Sequence, residues 1–297
     1  MKGFDKLYAG VPVEQKDLLR TFRETHPYKT LDVGSGTWRY IASGQGAKTL
    51  LFLPGGGLTA DMYFYPILAL EDRYRIVVPD SYALQDTFDM DDVCRALVAI
   101  LDAEGAAKAA VIGVSAGGGV AQYFIQEYPE RIDSLVLSHC GPFDGPDEKA
   151  EVRVKRMTAL VRLLPMFVIR AMIMRMTAGR PPEGSEWIAF HDAYFSERAP
   201  ALNDKRQVLK FLAHGMQARR AFRYKPEIIE RWPGETLIIA SEDDQAAYQG
   251  LEKLKGRFPG ARTFIFERGG HHTFMFFPEQ YTAVLTGFLD GVLNGAR

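Results

Sequence analysis

Cysteine is scarce: Cys94 and Cys140 are alone in 297 residues, too few and too far apart for a disulfide framework or a cysteine-built zinc site. A reducing compartment suits that usage. A surplus of either charge is also missing, with 36 basic residues against 37 acidic ones. That balance removes the bulk electrostatic argument for a nucleic-acid partner, whose phosphates call for an excess of Lys and Arg. No apolar run reaches the roughly 18 residues needed to span a bilayer, and the stretch Met1–Lys6 has no apolar signal-peptide core. The expectation is a cytoplasmic protein without a transmembrane segment. Internal repeats and low-complexity tracts are lacking too. What remains is a globular composition, 47% hydrophobic and 25% charged. A length near 300 admits two small domains or one α/β domain carrying an insertion.

Apolar periodicity favours the second. Leu18, Leu19 and Phe22 form one stripe of a helix over Val13–Thr25. Tyr28–Val33 and Thr37–Ala42, separated by Gly34-Ser35-Gly36, predict an antiparallel pair joined by a turn. Continuous apolar runs at Lys48–Leu53, Tyr74–Val78 and Ala109–Val114 predict strands buried on both faces, and Leu135–Ser138, Thr236–Ala240 and Thr263–Phe266 predict three further strands. Helical patterns at Asp89–Ala103 and Ala116–Tyr128 alternate with them, which means a mostly parallel sheet flanked by helices.

The alternation stops from Phe143 to Trp232, where every segment reads as helix. Residues 149–231 hold 17 Lys plus Arg against 8 Asp plus Glu, and six of the ten methionines. A solvated helical face is the plain reading of such charge, ahead of an anion-binding surface. The apolar stretch Leu163–Met176 exceeds one helix stripe and is expected to be covered by the main domain or by an apolar ligand. The expected organisation is therefore a core of residues 1–142 and 233–297 with a helical cap at 143–232.

Gly113-Val114-Ser115-Ala116-Gly117 lies between a buried strand and a helix. Small residues there let the chain turn sharply and expose Ser115 as a nucleophile. The N–H of Ala116 would supply half of an oxyanion hole. The other half is expected from the loop Pro54-Gly55-Gly56-Gly57, with Gly56 first and Gly57 second, since Pro54 has no N–H to donate. For the base, His271 and His272 follow the last strand, and Gly270 before His271 lets that loop bend over the sheet edge, favouring His271. His26, His139, His191 and His214 suit packing, surface or lid roles. The acid that sets the imidazole tautomer is expected in Ser241-Glu242-Asp243-Asp244, after the penultimate strand, with Asp244 preferred and Asp243 and Asp144 as alternatives. A nucleotide site fails, because Gly34-Ser35-Gly36-Thr37-Trp38-Arg39 lacks the third glycine and joins two strands. There is no HExxH motif, and no metal or cofactor is expected.

Together these stations resemble the α/β-hydrolase superfamily over the whole chain, with the insertion where that superfamily carries its cap. Pro54-Gly55 stands where His-Gly is common in the superfamily. Within it, Leu51-Phe52-Leu53-Pro54, Thr59-Ala60-Asp61, Ile67-Leu68-Ala69-Leu70, Asp244-Gln245 and Phe258-Pro259-Gly260-Ala261-Arg262 resemble the maspardin group, which implies as an alternative a catalytically silent, partner-binding protein. The filled stations imply activity instead: a serine hydrolase cleaving a small or medium, mainly apolar carboxylic ester, lactone or thioester through an acyl-enzyme.

Overall fold

The computed structural model describes residues 2–34, 36–81, 89–145, 148–177, 183–202 and 204–291. The apolar runs become strands of a sheet, with the last of them at its edge. Its strands are β1 Lys29–Val33, β2 Gly36–Ser43, β3 Thr49–Leu53, β4 Arg75–Pro79, β5 Ala109–Val114, β6 Ile132–Ser138, β7 Glu235–Ser241 and β8 Arg262–Phe266. Among the described residues they form one eight-stranded sheet in the order β1-β2-β4-β3-β5-β6-β7-β8. β1 and β2 are antiparallel, as are β2 and β4, and every pairing from β4 through β8 is parallel. Ser35, in the expected β1–β2 turn, lies outside the described residues.

Side chains alternate between two apolar layers because successive strand residues face opposite ways. On one face Leu51, Leu53, Val111 and Leu137 pack with residues of α4 Met90–Ala103 and α5 Ala116–Glu127. On the other, Leu50, Phe52, Ile112 and Ile239 pack with Leu19 and Phe22 of the N-terminal helix over Val13–Thr25 and with Leu285 of the C-terminal helix over Pro278–Leu289. In chain order the remaining helices of the core are α1 Lys2–Leu7, α2 Val13–Thr25, α3 Phe64–Leu70, α11 Gln245–Tyr248, α12 Leu251–Arg257, α13 Thr273–Phe276 and α14 Pro278–Leu289. Position follows from topology: β3 lies between β4 and β5, so the chain reverses its winding there. Loops leaving the carboxyl ends of β3 and β5 diverge and open a crevice at that edge.

Between β6 and β7 the chain forms α6 Glu148–Leu163, α7 Met166–Thr177, α8 Ile188–Leu202, α9 Lys205–Ala221 and α10 Pro226–Arg231. Phe190 and Tyr194 of α8 join the second apolar layer, while Ile229 of α10 and Trp232 join the first. Within the stretch Leu163–Met176, Ile169 is buried by the protein, whereas Leu163 is 80% and Phe167 74% exposed; the side chains of 173–176 lie outside the described residues. An amphipathic pattern fixes which residues share a face and leaves open what each face meets. Among the described residues no helix is long and apolar enough to cross a membrane.

Candidate active site

The turn from β5 into α5 is dictated by sterics. A Cβ on Gly117 would lie 2.0 Å from the carbonyl oxygen of Leu53, and one on Gly113 would lie 2.6 Å from that of Gly117. Only glycine lets strand and helix approach so closely. Between them Ser115 takes φ 56° and ψ −117°, a conformation that a non-glycine residue holds only under constraint from its surroundings. Its N–H donates to the carbonyl of Ser138 at 2.9 Å, tying the turn to β6.

The Ser115 hydroxyl donates to His271 Nε2 at 2.6 Å, and His271 Nδ1 meets Asp244 Oδ2 at 2.7 Å. An ionised carboxylate can only accept, so the Nδ1 proton faces Asp244 and Nε2 keeps a lone pair toward the serine. Burial alone would raise the pKa of Asp244. The hydrogen bond and charge of His271, together with His139 and the Ala247 N–H, outweigh it and hold the carboxyl below its ordinary value. Asp244 is 5% exposed, which keeps competing water from that bond.

The neighbouring candidates do other work. Asp243 accepts from Ser241 Oγ at 2.5 Å, Gly270 N at 2.8 Å and Gly269 N at 3.3 Å. It thereby braces the loop that carries His271, whose Gly269 and Gly270 both have positive φ. Asp144 is held by Lys253 and Arg257 and, among the described residues, makes no bond to a histidine. His272 turns away from Ser115: its Nδ1 lies 2.9 Å from Nε2 of His191 on α8, and its ring stacks on Phe195. Burial, reinforced by the surrounding imidazoles, pushes His272 well below the usual histidine range. His139, with φ 50°, bonds Ser138 Oγ and Thr273 Oγ1, its ring centroid 6.1 Å from that of His271. Burial foremost, then the charge of His271, pushes its pKa to about 3. His26 pairs with Glu71, and His214 is buried in α9. No local signal in the sequence marks the His191–His272 contact.

In the β3 loop the N–H of Gly56 has no partner among the described residues, and that of Ala116, the first residue of α5, has no intrahelical acceptor. The N–H of Gly57, the second choice for that half of the hole, donates to Ser81 Oγ at 3.2 Å. Phe211 of α9 covers this loop, its Cε2 2.3 Å from where a Cβ on Gly56 would stand.

Just beyond the loop, Asp61 is 3% exposed and joins three parts of the chain. Its carboxylate accepts from Arg198 Nη2 at 2.6 and 2.8 Å, Arg23 Nε at 2.9 Å, Thr59 Oγ1 at 2.6 Å and Tyr194 OH at 3.0 Å. α2 and α8 are thereby pinned to the segment that follows the glycine loop. Among the described residues no cluster of His, Cys, Asp and Glu could hold a metal ion.

A model of the alpha/beta hydrolase family matches residues 50–284. The candidate carbamate hydrolase RutD of Caulobacter segnis is 26% identical over 265 residues, covering 83% of this chain and 92% of its own. Among solved structures, the enol-lactonase of Burkholderia xenovorans LB400 superposes with a TM-score of 0.71 at 14% identity, covering 89% of this chain and 100% of that one. A thermophilic esterase of Thermogutta terrifontis gives 0.67 at 18%, covering 91% and 99%. At such identities the two structures speak for the fold alone, whereas the family model spans most of the chain. The chain belongs to the alpha/beta hydrolase family.

Proposed function

We propose that the protein is a serine hydrolase that cleaves small or medium, mainly apolar carboxylic esters, lactones or thioesters through an acyl-enzyme. The observation that carries this reading is the continuous hydrogen-bonded chain from Ser115 through His271 to Asp244. His271 Nε2 takes the Ser115 proton as Oγ attacks the acyl carbon, and Asp244 holds the tautomer and balances the imidazolium. The tetrahedral oxyanion is met by the N–H groups of Gly56 and Ala116, each such donor being worth about 3–4 kcal/mol in the transition state. As the intermediate collapses, the leaving oxygen or sulfur receives the proton from His271. Water, deprotonated by the same nitrogen, then attacks the acyl-enzyme and frees Ser115.

Residues 143–232 serve in this reading as the lid. Support comes from Phe211 over the glycine loop and from the packing of α7 against the Gly270–His272 turn. The names of the relatives point to a carbamate, an enol lactone and esters, substrates that share an electrophilic acyl carbon.

A fluorophosphonate probe tests the nucleophile. The folded wild type should gain one adduct on the peptide containing Ser115, and Ser115→Ala should neither label nor turn over any ester in a panel of increasing acyl length. A folded wild type that stays unlabelled, or Ser115→Ala that keeps wild-type rates, overturns the assignment.

A further inference from the structure

On α6, Val152, Lys155, Arg156, Leu160 and Leu163 recur at helical spacing and are all exposed. A surface helix ordinarily presents polar residues on that side. Here Leu163 and Phe167, on either side of the turn between α6 and α7, are 80% and 74% exposed, with Val152 and Leu160 at 41% and 40%. Opposite them Val161 and Ile169 are buried, so both helices are already seated on the protein by another face. Leu163 and Phe167, the most exposed of the outer apolar residues, leave most of their surface outside that seating.

Charge around these residues is mainly basic, with Glu148, one turn before Val152, an acidic exception. The insertion carries the basic surplus of the chain, and the Glu151 carboxylate is engaged by Arg220 at 3.1 Å, with Lys155 3.9 Å away. A groove of about 440 Å³ between α6 and α9 is likewise lined by Lys155, Arg162, Leu163 and Arg220. From this combination we infer that the outer face of α6 and the start of α7 docks on an anionic lipid surface. Basic side chains meet the lipid phosphates, while Leu163 and Phe167 enter the boundary between headgroups and acyl chains. A second copy of the chain is disfavoured, because a two-fold contact would set this basic face against itself. Side chains this exposed are knobs, which suit a deformable apolar medium better than a preformed protein groove. The inference does not depend on the ester chemistry, since binding is read without turnover.

Co-sedimentation tests it with phosphatidylcholine vesicles, with and without phosphatidylglycerol, at low and high salt. The wild type should sediment with the phosphatidylglycerol vesicles and be released by salt. Leu163→Asp and Phe167→Asp should each weaken partitioning on the order of tenfold or more. Arg156→Glu should weaken it by at least about fivefold, the effect of one basic residue at an anionic surface. Because these side chains are exposed, the variants should keep the wild-type melting temperature. The inference is overturned by absence of binding, by equal binding to vesicles lacking phosphatidylglycerol, or by Leu163→Asp and Phe167→Asp that bind like wild type. A concentration-dependent dimer in lipid-free buffer that Leu163→Asp dissolves would also overturn it, in favour of self-association.

Discussion

Replacing Asp61 by alanine tests the idea that one buried carboxylate fastens the helical insertion to the core. Asp61 receives Arg198 through both carboxylate oxygens, and these are the hydrogen bonds of Arg198 among the described residues. Arg198 Nε is already buried with no partner among the described residues. Arg23 would keep its two bonds to Glu197, at 2.9 Å each, so the damage falls mainly on Arg198 and on the Tyr194 and Thr59 hydroxyls. Breaking a buried ion pair from one side typically costs 3–5 kcal/mol. The Arg23 and Arg198 side chains keep 26% and 24% of their surface, so water recovers part of that loss. The lower end, about 3 kcal/mol, is therefore expected, or a fall in melting temperature of roughly 6–12 °C. Thermal unfolding near neutral pH reads this directly. In the Asp61→Ala background, Arg198→Ala should cost much less than it does alone, because its partner is gone. A melting temperature within about 2 °C of wild type, or full additivity of the two substitutions, would refute the reasoning.

Further outcomes concern the catalytic loop and acid pH. His271→Ala should reduce ester turnover by orders of magnitude and His272→Ala by far less, since His271 bonds Ser115 whereas His272 bonds His191; the reverse order in steady-state kinetics would move the base by one position. Asp244→Asn should lower kcat on the order of 10⁴ by favouring the wrong imidazole tautomer, and a larger loss at Asp243 would relocate the acid. His139 and His272 stay neutral when folded but take up protons near 6.5 once unfolded. Their stabilisation is therefore complete above that value, and each loses about 1.4 kcal/mol per pH unit below it. Asp61 and Asp244, whose pKa values are lowered, add a further loss once pH falls below about 4, as the unfolded carboxylates protonate first. Melting temperatures from about pH 7.5 down to pH 5 should fall, and a flat profile would contradict the burial of these imidazoles.

Much of the fold was legible because its signals are local. A strand buried on both faces must be apolar throughout, as β3 and β5 are. A strand turning at once into a helix must have glycine where the two backbones nearly touch, as at Gly113 and Gly117. Chain order then sends the loops after β5, β7 and β8 to one sheet edge, so Ser115, Asp244 and His271 could be matched without coordinates. The distinction between Asp243 and Asp244 rested only on the count of turn residues. Its physical basis, one carboxylate receiving loop N–H groups and the other the imidazole, came with the structure.

What the linear chain could not supply is the docking of the insertion. Periodicity identifies a helix and its stripes, but the partner of a stripe depends on contacts between residues far apart in sequence. His191 meets His272 across 81 positions, and Phe211 reaches Gly56 from another helix of the insertion. Neither pair has a local signature. For the same reason Leu163 and Phe167, apolar enough to be expected in a covered pocket, stand in solvent. The amino-acid sequence by itself determined the sheet, the sharp turn at Ser115 and the stations along its edge, because each is set by backbone sterics or by burial of a single segment. Only the tertiary structure decided what His272 meets, which glycine N–H lacks a partner among the described residues and which side of the insertion meets the core, because those outcomes depend on long-range packing.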